Sequence, residues 1–137
     1  MTKVKLYNKD TTTFIGDLND AIDCKVTEER NGQFELSLVY PNQKQFSDRL
    51  IEGNIIQCNA NDELSNQQFR IYKTRKLMNN KIDVMARHIS FDLLYDFVES
   101  ISIVNQPCNY VLNEIFRRSN FSQHYQGFSD IVNAQNY

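Results

Sequence analysis

The stretch Gln67–Phe97 decides the fold, and it reads QQFRIYKTRKLMNNKIDVMARHISFDLLYDF. Its first two segments alternate apolar and polar residues with a period of two, which is typical of strands with one buried face. The pair Asn79–Asn80 between them favours a turn, because asparagine tolerates a positive φ. A two-residue turn there pairs Ile71 with His88 and places the apolar residues of both strands on one face. The stretch therefore predicts a β-hairpin.

A change of period follows this hairpin. After His88 the apolar residues lie three and four positions apart, at Phe91, Leu94 and Val98. This spacing predicts a short helix, and Ser90 is a suitable N-cap for it. We therefore expect the second strand to run directly into a helix.

The residues before the hairpin predict a second pair of strands. Gln33–Tyr40 alternates strictly, and Ala21–Glu29 shows the same period. A two-residue turn on Asn31-Gly32 would place their apolar faces on opposite sides of the sheet. A three-residue loop, Arg30 to Gly32, brings the two faces together. Gly32 then occupies the third loop position, where a positive φ is expected.

The predicted elements define a fold class and two regions. Five or more antiparallel strands with short connections predict a mainly β fold with short α-helices, and a small antiparallel β-barrel-like domain over residues 1–104. An apolar stripe after Pro107 predicts a helix. We expect residues 105–137 to hold this helix and the start of a second, incomplete domain. The expected core residues are Ile22, Val26, Phe34, Leu36, Leu38, Ile56, Phe69, Ile71, Val84 and Leu94.

Composition excludes several classes of protein. The chain is 41% hydrophobic and 23% charged with a net charge of -2, so no overall positive field argues for nucleic acid. No run approaches the roughly 18 apolar residues of a membrane span. The N-terminus MTKVKLYNKD lacks the apolar segment of a signal peptide. Three widely spaced cysteines fit a reducing cytoplasm better than a disulfide framework.

The reactive side chains do not form a recognisable catalytic motif. The cysteines are Cys24, Cys58 and Cys108, and the histidines are His88 and His124. Cys24 and Cys108 fall on apolar faces, and the Cys and His spacings match no nucleophile signature. His88 lies where a strand meets a helix, which favours a structural role. Metal-ligand spacings and glycine-rich phosphate loops are absent from the sequence. We predict no catalytic, metal-binding or cofactor-binding residue, and no cofactor.

Basic residues are concentrated on the hairpin. Three interpretations stay open: contact with nucleic acid, a charged surface that prevents wrong strand pairing, and a contact with another subunit. We favour the contact between subunits, and the candidate partner-contact residues are Arg70, Tyr72, Arg75 and Lys81. The full basic set is Arg70, Lys73, Arg75, Lys76, Lys81 and Arg87.

Four short motifs, in this order and spacing, resemble a known family. They are NGQFEL at Asn31–Leu36, GNII at Gly53–Ile56, FRIY at Phe69–Tyr72 and ARHISFDL at Ala86–Leu93. Together they resemble the N-terminal region of the endopeptidase tail, or tail-associated lysin, family of siphophages and prophages of Gram-positive bacteria. The resemblance runs from about Val4 to Phe116.

The resemblance implies a place in a virus particle. It implies a baseplate-hub fold assembled as a homotrimer that closes the tail tube below the ring of distal tail protein. The tape measure protein is a further candidate partner. Such a protein is assembled in the cytoplasm of the host bacterium and resides in the virion at the tail tip. The family's wall-degrading domains lie in C-terminal extensions, so no catalytic residue is carried over to this chain.

Three classes of function therefore compete. A structural tail-hub module predicts self-association. A cell-wall peptidase fragment requires a cysteine or histidine in a cleft. A carbohydrate or nucleic-acid recognition module requires an exposed groove lined by aromatic residues such as Tyr72, Tyr95 and Tyr125. We expect the first, with no membrane span and no specific nucleic-acid partner.

Overall fold

The computed structural model of the chain describes residues 3–120 and 125–131. It divides the chain into two compact units, Met1–Ser90 and Phe91–Tyr137. The predicted boundary after residue 104 lies inside the second unit. The assignment of 105–137 to a second, incomplete domain stays a prediction.

The first unit is built on one seven-stranded sheet in which every neighbouring pair is antiparallel. The strand order is β2-β1-β5-β6-β7-β4-β3, so β2 and β3 are the edges. A 3₁₀ helix, Ser47–Arg49, connects β4 to β5. This architecture confirms the predicted mainly β, antiparallel fold class. The strands are β1 (Lys5–Tyr7), β2 (Phe14–Asp17), β3 (Asp23–Glu28), β4 (Phe34–Pro41), β5 (Ile55–Cys58), β6 (Gln67–Lys76) and β7 (Lys81–His88).

The core lies on one face of this sheet. Leu36, Leu38 and Tyr40 alternate along β4 with more exposed residues and are buried against β7. Of the ten expected core residues, six are buried, and two more, Val26 and Phe34, are half-buried against the core. The six buried ones are Leu36, Leu38, Ile56, Phe69, Ile71 and Val84.

Two of the core predictions are wrong. Ile22 is 45% exposed; it lies just before β3, outside the edge strand whose Cys24 and Val26 pack against the core. Leu94 is 75% exposed. It lies in a 3₁₀ helix, Ile89–Tyr95, which has three residues per turn, so the spacing of an α-helical stripe does not apply. This helix begins before Ser90, so Ser90 is not its N-cap.

The hairpin β3–β4 has the predicted register. Val26 pairs with Leu36 and Cys24 with Leu38, which confirms the three-residue loop. The predicted positive φ at Gly32 is wrong: Asn31 has a φ of 56° instead. The loop closes through a hydrogen bond from the Gly32 N–H to the Glu29 carbonyl. That bond makes Asn31 the third residue of a β-turn, a position that asparagine occupies readily with a positive φ.

The hairpin β6–β7 has a different register from the predicted one. Ile71 pairs with Ala86, not with His88. The Leu77 N–H donates to the Lys81 carbonyl, so the loop has three residues and not two, and its last residue, Asn80, has a φ of 55°. A second irregularity lies between Ile71 and Lys73, where Tyr72 is an extra residue without a partner in β7. This one-residue bulge returns Ile71 to the core face.

The sheet curls around its core. Directly after β5, the Asn61 side chain donates from Nδ2 to the Glu28 carboxylate at the end of β3, at 3.3 Å, although β6, β7 and β4 lie between these strands. In a flat sheet, four strand spacings would separate the two strands by about 19 Å. The contact therefore requires strong curvature, as the predicted barrel-like domain does.

The second unit contains the predicted helix, α1 (Cys108–Arg118). Val111 is its buried residue, and Glu114 accepts hydrogen bonds from Arg117 and Arg118 near the C-terminal end. Those hydrogen bonds lower the pKa of Glu114 to about 2. Among residues 3–120 and 125–131, no helix is long and apolar enough to span a membrane.

The position of Leu36 yields a test of the core. Leu36→Ala removes a fully buried side chain that faces β7, and we expect it to lower the free energy of unfolding by roughly 2–5 kcal/mol. Leu94→Ala is the matched control, because the same truncation there removes a side chain that is 75% exposed. Urea denaturation measures both variants. Equal losses would contradict the burial described for Leu36.

Candidate partner-contact surface

The hairpin β6–β7 presents a row of cations on the side of the sheet opposite the core. Across the two strands, Arg70 pairs with Arg87, Lys73 with Met85, and Arg75 with Asp83. These positions in β7 alternate with buried ones, and Lys81 falls on the same side by parity. The basic outer face is Arg70, Lys73, Arg75, Lys81 and Arg87.

The bulge at Tyr72 makes this face possible. Arg70 and Arg75 are an odd number of positions apart, so in a regular strand they would point to opposite sides. The extra residue changes the parity between them and places both opposite outward residues of β7. Lys76, by contrast, pairs with the buried Ile82 and is not part of the basic outer face.

Arg70 has a role inside the fold. One of its guanidinium nitrogens, Nη1, donates to the carbonyl oxygens of Gly53, at 2.8 Å, and Lys9, at 3.1 Å. It therefore ties the segment before β5 and the connection between β1 and β2 to the middle of β6. Sequence reasoning missed this role, because the two acceptors are backbone carbonyls in distant loops and leave no side-chain signal.

Tyr72, Arg87 and Glu35 form a connected cluster on the same face. The Arg87 guanidinium lies 4.4 Å from the centre of the Tyr72 ring, and its Nε donates to Glu35 at 3.0 Å. The Tyr72 hydroxyl donates to the other Glu35 oxygen at 3.4 Å. Partial burial opposes ionisation of Glu35, but hydrogen bonds from Arg87 and Gln33 outweigh it and hold its pKa below the usual value. Burial and the Glu35 charge raise the pKa of Tyr72.

The end of the hairpin near its loop is more open. The Arg75 side chain is 62% exposed and contacts Asp83, whose side chain is 14% exposed, at 3.0 Å. Because solvent screens the exposed guanidinium, this ion pair contributes less to stability than a fully buried one. No ion pair within the described residues involves Lys73 or Lys81. Of the four predicted contact residues, Arg75 and Lys81 thus keep charge that a partner could use, whereas Arg70 and Tyr72 are engaged within the chain.

His88 is engaged locally. Its Nε2 lies 3.0 Å from the Gln67 side-chain oxygen, and its Nδ1 accepts from the Ser90 N–H at 3.2 Å. This pattern assigns the proton to Nε2 of a neutral ring. The ring also stacks on Phe34 at 4.3 Å. The geometry accords with a structural role; His124 lies outside the described residues.

The other aromatic and metal-ligating candidates do not converge. Tyr125 stacks on Phe116 at 5.7 Å, Tyr72 lies beside Arg87, and Tyr95 is 83% exposed. In the described part of the chain, no group of three or more His, Cys, Asp or Glu side chains could hold a metal ion.

Comparison with known proteins identifies a similar fold. The chain resembles the crystal structure of prophage tail protein gp18 from Listeria monocytogenes EGD-e, with a TM-score of 0.63 and 14% sequence identity. The match covers 98% of this chain but only 40% of that protein, so this chain spans less than half of its length. No protein-family model matches the sequence, and no curated protein matches it. At this identity, the likeness shows the fold.

The contacts of Arg70 and Arg75 predict different effects of truncation. Arg70→Ala removes two charge-assisted hydrogen bonds that tie two loops to the sheet, and we expect a loss of roughly 1–3 kcal/mol in unfolding free energy. Arg75→Ala removes one ion pair whose guanidinium is 62% exposed, and we expect a smaller loss, because solvent screens that charge. Chemical denaturation compares the two. If Arg70→Ala lowered the free energy of unfolding less than Arg75→Ala does, the hydrogen bonds of Arg70 would not hold the two loops to the sheet.

The lowered pKa of Glu35 predicts a dependence on pH. Its folded pKa lies below the ordinary value of 4.5, so the ionised carboxylate stabilises the fold above that value. This contribution is lost as the pH falls through the folded pKa. We expect Glu35→Gln to lower the Tm at neutral pH and to weaken the loss of Tm on acidification. Glu52→Gln, an exposed site away from the cluster, should follow the wild-type pH profile; the same profile for Glu35→Gln would refute the role of Glu35.

Proposed function

We propose that this chain is a structural component of a bacteriophage or prophage tail, located at the tail tip in the hub that closes the tail tube. The observation that carries the proposal is the fold, which resembles that of a prophage tail protein over 98% of the chain. The order of the four sequence motifs supports the same role independently of the coordinates.

The basic outer face supports a role in assembly. A hub subunit must recognise its neighbours in a fixed orientation, and charged surface residues orient partners while they approach. Arg75, Lys73 and Lys81 are available for carboxylates of another subunit. We propose that these contacts join the chain to further copies in a homotrimer or to the distal tail protein ring, with the tape measure protein as another partner.

The proposed role is structural and not catalytic. Two side chains that sequence reasoning weighed as a nucleophile and a base have structural places: Cys58 is buried in the core, and His88 bonds Gln67 and Ser90. We propose that any wall-directed domain is a C-terminal part of a longer protein that this chain anchors to the tail tip. Assembly would take place in the cytoplasm of the host bacterium, before release of the virion.

A charge-neutralising variant in the parent phage or prophage tests the proposal. Arg75→Gln with Lys81→Gln removes the positive charge near the hairpin loop, spares Arg70, and adds no carboxylate near Asp83. We expect this variant to retain the wild-type Tm as a purified chain and to be absent from purified tails. Quantitative immunoblotting of the tails, with cryo-electron microscopy of the wild-type particle, measures incorporation and position.

The matched control is Lys25→Gln with Arg30→Gln, which makes the same change in charge at exposed positions of β3 and its loop. We expect the control to enter tails normally. Wild-type incorporation of the Arg75 and Lys81 variant would exclude this face as a contact surface. A wild-type particle whose density lacks the chain would exclude the tail role itself.

A further inference from the structure

The strand β6 has a free edge after its bulge. Its ladder with β5 ends at Arg70, which pairs with Ile55. Ile71 still bonds the segment before β5 through its N–H and its carbonyl, but among the described residues no backbone group pairs with residues 73–76 on that side. These four residues pair with β7 alone. The second half of β6 is therefore a strand edge within the sheet.

Two residues of this edge direct their backbone groups away from β7. The Leu77 N–H donates to the Lys81 carbonyl, so these two form a hydrogen-bonded pair, and such pairs recur at every second residue of an antiparallel ladder. Arg75 is therefore bonded to β7, whereas the N–H and carbonyl groups of Thr74 and Lys76 point to the free edge. A row of such groups is a template for another strand.

A pocket of about 500 Å³ opens beside this edge, on the inward side of the sheet. Thr74 and Lys76 line it, because both pair with buried residues of β7 and share their side. The connection between β4 and β5 contributes the buried Leu50 and also Ile51, which is 53% exposed. The pocket thus has an apolar wall and room for the side chains of an added strand.

The two sides of the edge differ in charge. On the inward side, Lys76 and Asp48 both line the pocket, and their formal charges cancel. On the outward side, Lys73 and Arg75 are exposed, and among the described residues Asp83 alone forms an ion pair with either of them. The outward side is therefore net positive, while the pocket side is neutral and partly apolar.

We propose that residues 73–76 bind an extended segment of a partner protein, which adds to β6 as a further strand. Side chains of an added strand alternate between the two sides of the sheet. Every second residue of the segment is apolar and enters the pocket, and the residues between are acidic and face Lys73 and Arg75. Backbone hydrogen bonds supply the affinity of such an addition, and the alternation of side chains supplies its specificity.

The added strand gives the partner of the basic outer face a conformation and a sequence pattern. It rests on the proposed function only in that the partner is another tail protein. A purified chain binds a peptide whether or not it belongs to a tail, so the two proposals fail separately. A particle without the chain would refute the tail role, and a chain that does not bind the peptide would refute the strand addition.

Nuclear magnetic resonance titration of the purified chain tests the site. The probe is the blocked peptide Thr-Glu-Val-Glu-Phe-Glu-Thr, in which apolar residues alternate with Glu. We expect saturable shifts at the amides of Thr74 and Lys76, and hydrogen exchange there slowed by about tenfold or more. A peptide with Lys in place of each Glu should cause no shifts. Equal shifts with both peptides, or none with either, would overturn the proposal.

A second pair of peptides isolates the role of the backbone. Methyl groups on every second amide nitrogen block the donors on one edge of the peptide and leave its side chains unchanged. Methylation in one of the two alternating frames should abolish binding, and methylation in the other frame should preserve it. Equal affinity of the two methylated peptides would refute strand addition.

Variants of the chain test the two sides of the edge. Lys73→Gln with Arg75→Gln should weaken binding about tenfold, because the cations that face the acidic residues are lost. Ile51→Ser should also weaken binding, because it removes part of the apolar wall. The control, Lys25→Gln with Arg30→Gln, removes the same charge at exposed positions and should bind as the wild type does. Wild-type affinity in both test variants would place the peptide elsewhere and overturn the proposal.

Discussion

The fold of the hairpin β6–β7 depends on one extra residue, Tyr72. Inward residues at Phe69 and Ile71 must meet inward residues of β7, and the three-residue loop alone would shift the register by one and turn Ile71 outward. The bulge shifts the register once more and restores both residues to the core. Because β6 and β7 lie in the middle of the sheet, an error here would misalign β5 on one side and β4 on the other.

Tyr72 also separates two outward arginines, Arg70 and Arg75, that have different roles. Before the bulge, Arg70 faces outward at the point where β6 approaches two loops, and backbone carbonyls occupy its guanidinium. After the bulge, Arg75 faces outward beside Asp83 near the open end of the hairpin. Side chains that look equivalent in the sequence thus have unequal roles. A carbonyl-bound arginine positions loops, and an exposed arginine or lysine remains available to a partner.

The sequence predicted the parts of the fold that alternate. The β3–β4 hairpin was correct because a strict period of two on both strands leaves one loop length consistent with a shared apolar face. For β6–β7, the predicted register was wrong in two ways, because the loop has one more residue than predicted and β6 contains a one-residue bulge. Each change moves Ile71 to the other side of the sheet, so together they leave it on the predicted inward side. The left-handed residue at Asn31, the exposure of Leu94 and the contacts of Arg70 depend on turn geometry and tertiary packing, which periodicity does not encode.

The candidate surface was harder to predict than the fold, for a physical reason. A catalytic site needs specific groups at specific distances, whereas a contact surface between subunits needs only exposed groups of suitable charge and shape. A charged outer face also prevents unwanted strand pairing, so its composition has two explanations. The structure shows that Arg70 and Arg87 bind groups within the chain, and that Arg75 is paired with Asp83 although its side chain is 62% exposed. Lys73 and Lys81 make no ion pair among the described residues, so the proposed contact with a partner would draw on these two lysines and on the exposed Arg75 near the loop of the hairpin.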